Sequence, residues 1–144
     1  MIPVIRTATP EDGPVLLEIE RESFANPNWD LDGFFKYCCI VAEIDGRVAG
    51  FLVSHETAPA HKNIPPEREI LNLAVARKFR GVGIATALLQ HELKRQARHF
   101  LEVRESNVAA QTLYRKCGFV EVSRRSGYYE FPAEAAIVMM VKKC

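Results

Sequence analysis

The apolar residues of this chain recur with two spacings, every second residue in some segments and about every 3.6 residues in others. The first spacing is typical of β-strands and the second of amphipathic helices. Strands are predicted over residues 2–7, 40–44, 48–53, 69–75, 100–104, 119–123 and 136–141. Helices are predicted to start near residues 9–12 and to cover 31–37, 83–95 and 108–116. This order predicts a mixed α/β sheet in a single compact domain that spans residues 1–144.

Short-range signals support the boundaries of the first helix and of one hairpin. The helix is predicted to start with Thr9 as its N-cap or, because of a later proline, at Asp12. The segment 26–28, Asn-Pro-Asn, is predicted to end it. The pair Asp45-Gly46 lies between two apolar runs, which is the strongest local signal for a β-hairpin.

A turn with two glycines follows the strand predicted at 69–75. Residues 80–85 are Arg-Gly-Val-Gly-Ile-Ala, and a helical pattern comes next. A strand, a glycine turn and a helix start present free backbone N–H groups at the positive end of a helix dipole, and this geometry binds phosphate. Because Gly81 and Gly83 have no side chain, a diphosphate could approach the main chain closely. The pattern therefore predicts a ligand that carries phosphate.

Spacing distinguishes three kinds of phosphate ligand. No Lys-Ser or Lys-Thr pair follows the glycines, which disfavours a nucleoside triphosphate. The dinucleotide fingerprint begins correctly, and Glu102 ends the next apolar strand at about the right distance. Thr86, however, occupies the third glycine position, and four residues separate the strand from the glycines, so the tight turn would be lost. Acyl-coenzyme A is the third ligand.

Three elements in order resemble the GCN5-related N-acetyltransferases (GNAT). Arg80-x-x-Gly83-x-Ala85 resembles the [QR]-x-x-G-x-[GA] element of that family. Segments 101–107 (Leu-Glu-Val-Arg-Glu-Ser-Asn) and 113–119 (Leu-Tyr-Arg-Lys-Cys-Gly-Phe) resemble the second half of its core. More narrowly, residues 101–141 resemble the bacterial ribosomal-protein-alanine N-acetyltransferases. The resemblance covers nearly the whole chain. It implies the GNAT fold, a central mixed, mostly antiparallel twisted sheet of six to seven strands flanked by about four helices.

The resemblance also implies acetyl-CoA as the cosubstrate and a set of residues that bind it. These are Leu73, Ala74, Val75, Arg80, Gly81, Val82, Gly83, Ile84, Ala85, Thr86 and Asn107. The main chain of Leu73 and Val75 would pair with the pantetheine arm, and the Val75 N–H would stabilise the oxyanion. Asn107 would cap the following helix, contact the coenzyme, or do both.

Two catalytic residues are implied in the same way. Glu102 would be the general base, although a glutamate at this place in a strand could also simply face solvent. Tyr114 would protonate the departing thiolate, although a tyrosine on the apolar face of a helix could also simply pack. Since a phenol pKa near ~10 exceeds a thiol pKa near ~8.5, Tyr114 is better suited to donating a hydrogen bond than to full proton transfer.

Three aromatic residues are candidates for binding the acceptor. In the N-terminal acetyltransferases that this chain resembles, tyrosines at the position of Tyr128 and Tyr129 clamp the peptide backbone, whereas the alternative is that they close a hairpin. Trp29, after the first helix, would line the same groove or cap the core.

Composition narrows the setting without identifying a partner. The chain has 144 residues, 48% of them hydrophobic and 26% charged, with a formal net charge of +1. That balance gives no general attraction to nucleic acid or to a membrane. No basic region precedes the first apolar residues, as it would in a signal peptide, and no apolar run approaches the ~20 residues of a membrane span. Four cysteines and four histidines lack metal-ligand spacing, so no metal is predicted, and a reduced cytoplasmic location is expected.

The function predicted from these features is acetylation of the N-terminal α-amine of a protein by acetyl-CoA, with direct attack in a ternary complex. Two alternatives remain open from the sequence. One is a GNAT enzyme that acetylates a small-molecule amine or a lysine side chain. The other is a module that binds acyl-CoA without turnover.

Overall fold

The computed structural model describes residues 2–24, 29–130 and 133–141. The strands formed by these residues are β1 (Val4–Thr7), β2 (Cys38–Ile44), β3 (Arg47–Ala58), β4 (Glu67–Val75), β5 (Arg98–Arg104), β6 (Phe119–Tyr129) and β7 (Glu134–Val141). The helices are α1 (Gly13–Ser23), α2 (Leu31–Lys36), α3 (Ile84–Leu93) and α4 (Val108–Lys116), with 3-10 turns at Pro10–Asp12 and Arg77–Phe79. The segment 26–28, predicted to end the first helix, lies outside the described residues.

The seven strands form one sheet in the order β1-β2-β3-β4-β5-β7-β6. The pairs β1–β2, β2–β3, β5–β7 and β6–β7 are antiparallel, whereas β4 and β5 are parallel. A mixed, mostly antiparallel seven-stranded sheet with four helices is the GNAT fold, as the resemblance implied. Among the described residues, no helix combines the length and the apolar character that crossing a bilayer requires.

The chain divides into two compact units that share strand β4. The first unit comprises residues 1–55 and 71–95, and therefore contains α1, α2, α3 and the C-terminal half of β4. The second unit comprises residues 56–70 and 96–144, and contains β5, α4, β6, β7 and the N-terminal half of β4.

The core of the first unit follows from the two predicted periodicities. Leu16 and Ile19 lie three residues apart on α1 and are fully buried, as the helical spacing indicated. Phe34 of α2 packs edge-on against Phe51 of β3, with ring centroids 5.1 Å apart. Each such side chain contributes about 1.5–3 kcal/mol when it is removed from water. This packing holds helices α1 and α2 against the strands of the first unit.

Most boundaries agree with the sequence, and the largest difference is at β6. The apolar pattern predicted a strand over 119–123, but β6 continues to Tyr129. Residues 124–128 are exposed and residue 129 is partly exposed, and no alternation of apolar and polar residues runs through them, so their pattern carries no strand signal. They are strand because their main chain pairs with β7, for example Arg125 opposite Ala136. Main-chain pairing with a partner strand, rather than side-chain burial, sets the length of β6.

Gly50 on β3 lies where the first unit leaves no room for a side chain. A Cβ built at this position would be 2.8 Å from the carbonyl oxygen of Ala74 and 3.2 Å from Cγ2 of Ile84. Because one of these contacts is backbone, the strands would have to separate. We expect Gly50→Ala to lower the free energy of unfolding by about 1–3 kcal/mol, or about 4 °C in Tm for each kcal/mol. Thermal unfolding followed by circular dichroism measures this.

The sign of that change is the decisive result. Where space is available, replacing glycine by alanine usually stabilises a protein by about 0.4–1 kcal/mol, because the unfolded chain has fewer conformations. A Tm for Gly50→Ala equal to or above that of the unchanged protein would therefore contradict the close packing of β3 on Ala74 and α3.

Candidate active site

The glycine turn in the first unit has the geometry of a phosphate-binding loop. Gly81 and Gly83 have φ angles of +81° and +90°, in the left-handed region that glycine adopts without strain. A Cβ built on either residue would have no atom within 4 Å, so the space above both main-chain positions is open. Gly83 is the N-cap of α3, which places the turn at the positive end of the helix dipole.

The backbone N–H groups of this turn are available to a ligand. In the described chain, no backbone hydrogen bond from the N–H groups of residues 81–83 is found, and the first turn of α3 cannot satisfy its own N–H groups. Val82 is half exposed, whereas Ile84 is buried and anchors the helix start. Gly81, Val82 and Gly83, three of the residues predicted to bind phosphate, therefore form an exposed turn before α3.

The structure turns the Arg80 side chain back onto the first unit. Its Nε donates to the Val75 carbonyl at 3.0 Å, and its Nη2 donates to Oγ of Ser23 at 3.1 Å. The Arg77 N–H donates to Oε1 of Glu22 at 2.6 Å. Arg80 thus ties the end of β4 to the end of α1, a role that the motif alone did not indicate.

Strand β4 alternates between buried and partly exposed residues. Leu73 and Val75 are partly exposed, and Ala74 between them is buried. The pairing of β4 with β5 runs from Glu67 to Ile70, so Leu73 and Val75 lie beyond it. Extended ligands that carry amide groups can form hydrogen bonds with the main chain of such a strand segment, as a neighbouring strand would.

In the second unit, Glu102 is held with its two carboxylate oxygens in different surroundings. Its neighbours Leu101 and Val103 are buried, and the Glu102 side chain projects from the other face of β5 at 12% exposure. Oε1 lies 3.4 Å from Nη1 of Arg125. Oε2 is buried and has no hydrogen-bond partner among the residues that the structure describes. The two oxygens of Glu102 therefore differ: Oε1 contacts a cation, and Oε2 carries no hydrogen bond from the described residues.

Tyr128 and Tyr129 lie next to this carboxylate at the end of β6. Their rings contact edge to face, with centroids 5.1 Å apart. A hydrogen bond to Glu102 is the main reason that the pKa of the Tyr128 phenol is raised. Burial, followed by the charge of Glu102, raises the pKa of Tyr129 to about 12. Both phenols are therefore neutral hydrogen-bond donors at neutral pH.

Tyr114 lies on α4, close to Tyr129. Its ring packs against Phe119, with centroids 5.8 Å apart. Burial raises the pKa of the Tyr114 phenol to about 12, and proximity to Tyr129 adds to the shift. The phenol therefore keeps its proton throughout the neutral range, which suits a hydrogen-bond donor to a developing thiolate. The structure thus brings Glu102, Tyr114, Tyr128 and Tyr129 together in one unit.

A network of Arg104, Glu134 and Ser106 packs against the ring of Tyr129. The Arg104 guanidinium lies 4.3 Å from the centre of the Tyr129 ring and 2.9 Å from Oε1 of Glu134. Glu134 also accepts hydrogen bonds from the N–H and Oγ of Ser106. These contacts to Arg104 and Ser106 hold the pKa of Glu134 below its usual range. This network was not predicted from the sequence, because Glu134 is distant along the chain from Arg104 and Ser106.

Asn107 is the N-cap of α4, which confirms one of the two roles predicted for it. Its side-chain oxygen accepts a hydrogen bond from the Ala110 N–H at 3.1 Å. The buried residue of this helix is Gln111, whose Nε2 donates to the carbonyls of Arg104 and Glu105. The contact of Asn107 with the coenzyme remains a prediction.

Trp29 belongs to the first unit and packs on its core, which is one of the two positions predicted for it, whereas its place in the acceptor groove remains a prediction. Its ring is 5.5 Å from that of Phe34 and packs on the core. Its N–H group on the main chain donates to Oε1 of the buried Glu20 at 3.1 Å. It also lines an open groove of about 510 Å³ with Tyr37 and α2. Across the described ranges, no group of His, Cys, Asp and Glu side chains could hold a metal ion.

The chain is similar to known acetyltransferases. Residues 8–119 match the acetyltransferase (GNAT) family. The chain is 35% identical to an uncharacterised N-acetyltransferase of Methanocaldococcus jannaschii, over 97% of this chain and 92% of that one. It is 31% identical to the [ribosomal protein bS18]-alanine N-acetyltransferase of Salmonella typhimurium, over 89% of each.

A solved structure gives the same result. The ribosomal-protein-alanine N-acetyltransferase from Escherichia coli matches with a TM-score of 0.80 at 29% identity, over 97% of this chain and 93% of that one. Because the family match covers most of the chain and the first of these relatives spans nearly its whole length, the chain belongs to the GNAT family and is an N-acetyltransferase.

Proposed function

We propose that this protein transfers the acetyl group of acetyl-CoA to the N-terminal α-amine of a protein. The observation that carries the proposal is the cluster in the second unit. There, a carboxylate with one buried oxygen that has no hydrogen-bond partner among the described residues lies beside two neutral phenols at the end of β6. The relatives named N-acetyltransferases of a ribosomal-protein alanine support the same class of acceptor.

The donor is assigned to the first unit. The diphosphate of acetyl-CoA would accept hydrogen bonds from the N–H groups of residues 81–86, which lie at the start of α3. The pantetheine arm would pair with the main chain of Leu73 and Val75, and the Val75 N–H would stabilise the oxyanion. The exposed Arg77 and Lys78 add positive charge to the same turn.

The acid and base roles are assigned to the second unit. Glu102 Oε2 would take a proton from the substrate ammonium, directly or through one water, and the neutral amine would then attack the thioester carbonyl. The C–N bond forms, and the C–S bond breaks when the tetrahedral intermediate collapses. The Tyr114 hydroxyl donates a hydrogen bond to the leaving sulfur. The second proton of the nitrogen passes to that thiolate to give the thiol, and Glu102 releases the first proton to solvent.

The choice of an α-amine follows from acidity. An α-amino group has a pKa near ~8 and a lysine side chain near ~10.4, so neutralising lysine at pH 7 costs about 3 kcal/mol more. A carboxylate is in general a weak base, so it is better matched to the less basic α-amine. Tyr128, which is 48% exposed beside Glu102, is available to hold the peptide main chain that carries this amine.

Peptide profiling with a Tyr128 variant tests the proposal. We expect mass spectrometry with labelled acetyl-CoA to find acetyl on the α-amine of peptides and not on their internal lysines. We expect Tyr128→Ala to raise the KM for peptide about tenfold, which corresponds to about 1.4 kcal/mol, because the exposed phenol contacts the peptide. The affinity for coenzyme A should not change.

Two outcomes would contradict the proposal. Acetylation confined to small amines or to lysine side chains, with activity indifferent to Tyr128→Ala, would favour the alternative GNAT substrate class. Tight coenzyme binding without acetyl transfer to any amine would point to a module that only binds acyl-CoA.

A further inference from the structure

Arg125 is the charged residue that contacts one of the two oxygens of Glu102, and Tyr128 also hydrogen-bonds to this carboxylate. Nη1 of Arg125 lies 3.4 Å from Oε1, whereas Oε2 has no hydrogen-bond partner in the part of the chain that the structure describes. A carboxylate rotates readily about its last bond, so an oxygen in this position needs a contact that fixes the other one. Among the described cationic side chains, Arg125 is the one that forms an ion pair with Glu102.

The sheet register explains why Arg125 reaches Glu102. On β7, Val138 lies opposite Glu102 of β5 on one side and opposite Ser123 of β6 on the other. Arg125 follows Ser123 by two residues, so its side chain is on the same face of the sheet as Glu102. The long arginine side chain therefore extends across β7 to the carboxylate.

An irregularity in β6 brings Tyr128 to the same carboxylate. Residues three apart in a regular strand point to opposite faces, which would separate Arg125 from Tyr128. The pairing with β7 shifts register between Arg125 and Tyr129, and both side chains then reach Glu102. The guanidinium also lies 5.4 Å from the centre of the Tyr128 ring. This irregularity assembles the cluster from one strand end.

The other charged side chains near Glu102 have contacts of their own, whereas Arg125 contacts the Glu102 carboxylate. Arg104 is paired with Glu134 and stacked on Tyr129, so it serves the network that packs against the Tyr129 ring. Glu69 acts on Tyr128 as a further negative charge. A guanidinium is always charged, so it attracts the carboxylate oxygen that it contacts. Because the Arg125 side chain is 59% exposed, the ion pair contributes little to the stability of the fold.

We propose that Arg125 is a positioning residue for the acetyl transfer: by holding Oε1 of Glu102, it fixes the orientation of the carboxylate in which Oε2 takes the proton of the substrate amine, directly or through one water. The inference rests on the proposed role of Glu102 as the general base. The proton of the substrate ammonium goes to Oε2, while Arg125 keeps all of its protons and contacts neither substrate nor coenzyme in this step.

The chain offers a closely matched control for this role. Arg124 is the preceding residue of the same strand, and its guanidinium is paired with Glu121 at 2.9 Å and Glu105 at 3.1 Å instead of with Glu102. Both arginines are about half exposed, so Arg124→Gln and Arg125→Gln remove the same charge from the same strand.

Steady-state kinetics on these variants test the proposal. We expect Arg125→Gln to lower kcat at pH 7 about 10–100-fold, because misplacing a catalytic group by about 1 Å has effects of this size. The KM values for peptide and acetyl-CoA should stay within about twofold. Arg125→Lys should recover part of kcat, since an ammonium can also pair with Oε1. Arg124→Gln should leave kcat within about twofold.

A double variant separates positioning from a merely structural effect. If Arg125 acts through Glu102, the double variant Glu102→Gln with Arg125→Gln should be no slower than Glu102→Gln alone. An Arg125→Gln enzyme with unchanged kcat, a defect confined to peptide KM, or a further loss in the double variant would each overturn the proposal. So would a Glu102→Gln enzyme that keeps full activity.

The same experiment keeps this inference apart from the proposed function. The variants are measured with whichever acceptor the unchanged protein acetylates, α-amine or lysine, because Arg125 acts on the base. An unchanged protein that acetylates only lysine would end the α-amine proposal while the comparison of Arg125 with Arg124 still decides this one.

Discussion

Replacing Glu102 by glutamine is expected to lower kcat at pH 7 by about 10²–10⁴-fold, the range over which a positioned general base accelerates a reaction. At this pH an α-amine with a pKa near ~8 is mostly protonated and cannot attack until it loses a proton. Glutamine keeps the size of the side chain and its contact with Tyr128, but it cannot accept that proton. Acetyl transfer measured from pH 6 to 10 checks this result.

The pH dependence of the defect identifies its cause. As the pH rises above the pKa of the amine, the substrate arrives already neutral, so the difference between Glu102→Gln and the unchanged protein should shrink. Glu105→Gln is the matched control, because Glu105 follows on the same chain segment but is half exposed and paired with Arg124. A Glu102→Gln enzyme with the same kcat as Glu105→Gln at pH 7 would remove Glu102 from the mechanism.

The second large effect is expected at the turn before α3. Gly83→Ala should raise the Kd for coenzyme A at least about tenfold, which corresponds to about 1.4 kcal/mol. The methyl group would enter the open space above a main-chain position with φ of +90°, where the diphosphate is proposed to approach. Titration calorimetry with coenzyme A measures the Kd.

Backbone strain has to be separated from blocked binding. Alanine at a left-handed position costs about 1–2 kcal/mol in any turn. Gly46 has φ of +77°, also has open space around it, and lies in the turn between β2 and β3, so Gly46→Ala reproduces the strain without touching the proposed ligand. Similar losses of Tm in both variants with weaker coenzyme binding only in Gly83→Ala would support the assignment. Equal Kd values in the two variants would refute it.

Local features of this protein were predictable because they depend on neighbours in the sequence. The alternation around Glu102, with Leu101 and Val103 buried, follows from the two-residue period of a strand. The left-handed turn at Gly81 and Gly83 follows from the residues that tolerate it. Asn107 was recognisable as an N-cap from its place before a helical pattern.

The surroundings of Arg80 and Arg125 were not predictable in the same way. A motif assigns Arg80 to the phosphate turn, but the folded unit uses its guanidinium to join Val75 and Ser23, and Ser23 is distant in sequence. Arg124 and Arg125 are identical in type and adjacent, so no pattern could say which one contacts Glu102. Only the pairing of β6 with β7 makes that choice.

The sequence by itself therefore determined the order of strands and helices and the left-handed glycine turn before α3. The tertiary structure alone decided which oxygen of Glu102 is held and that Gly50 must remain without a side chain. The physical reason is range. Periodicity and turn chemistry act over a few residues, whereas strand register and close packing depend on pairings between distant segments, and a shift of one residue would turn each side chain to the other face.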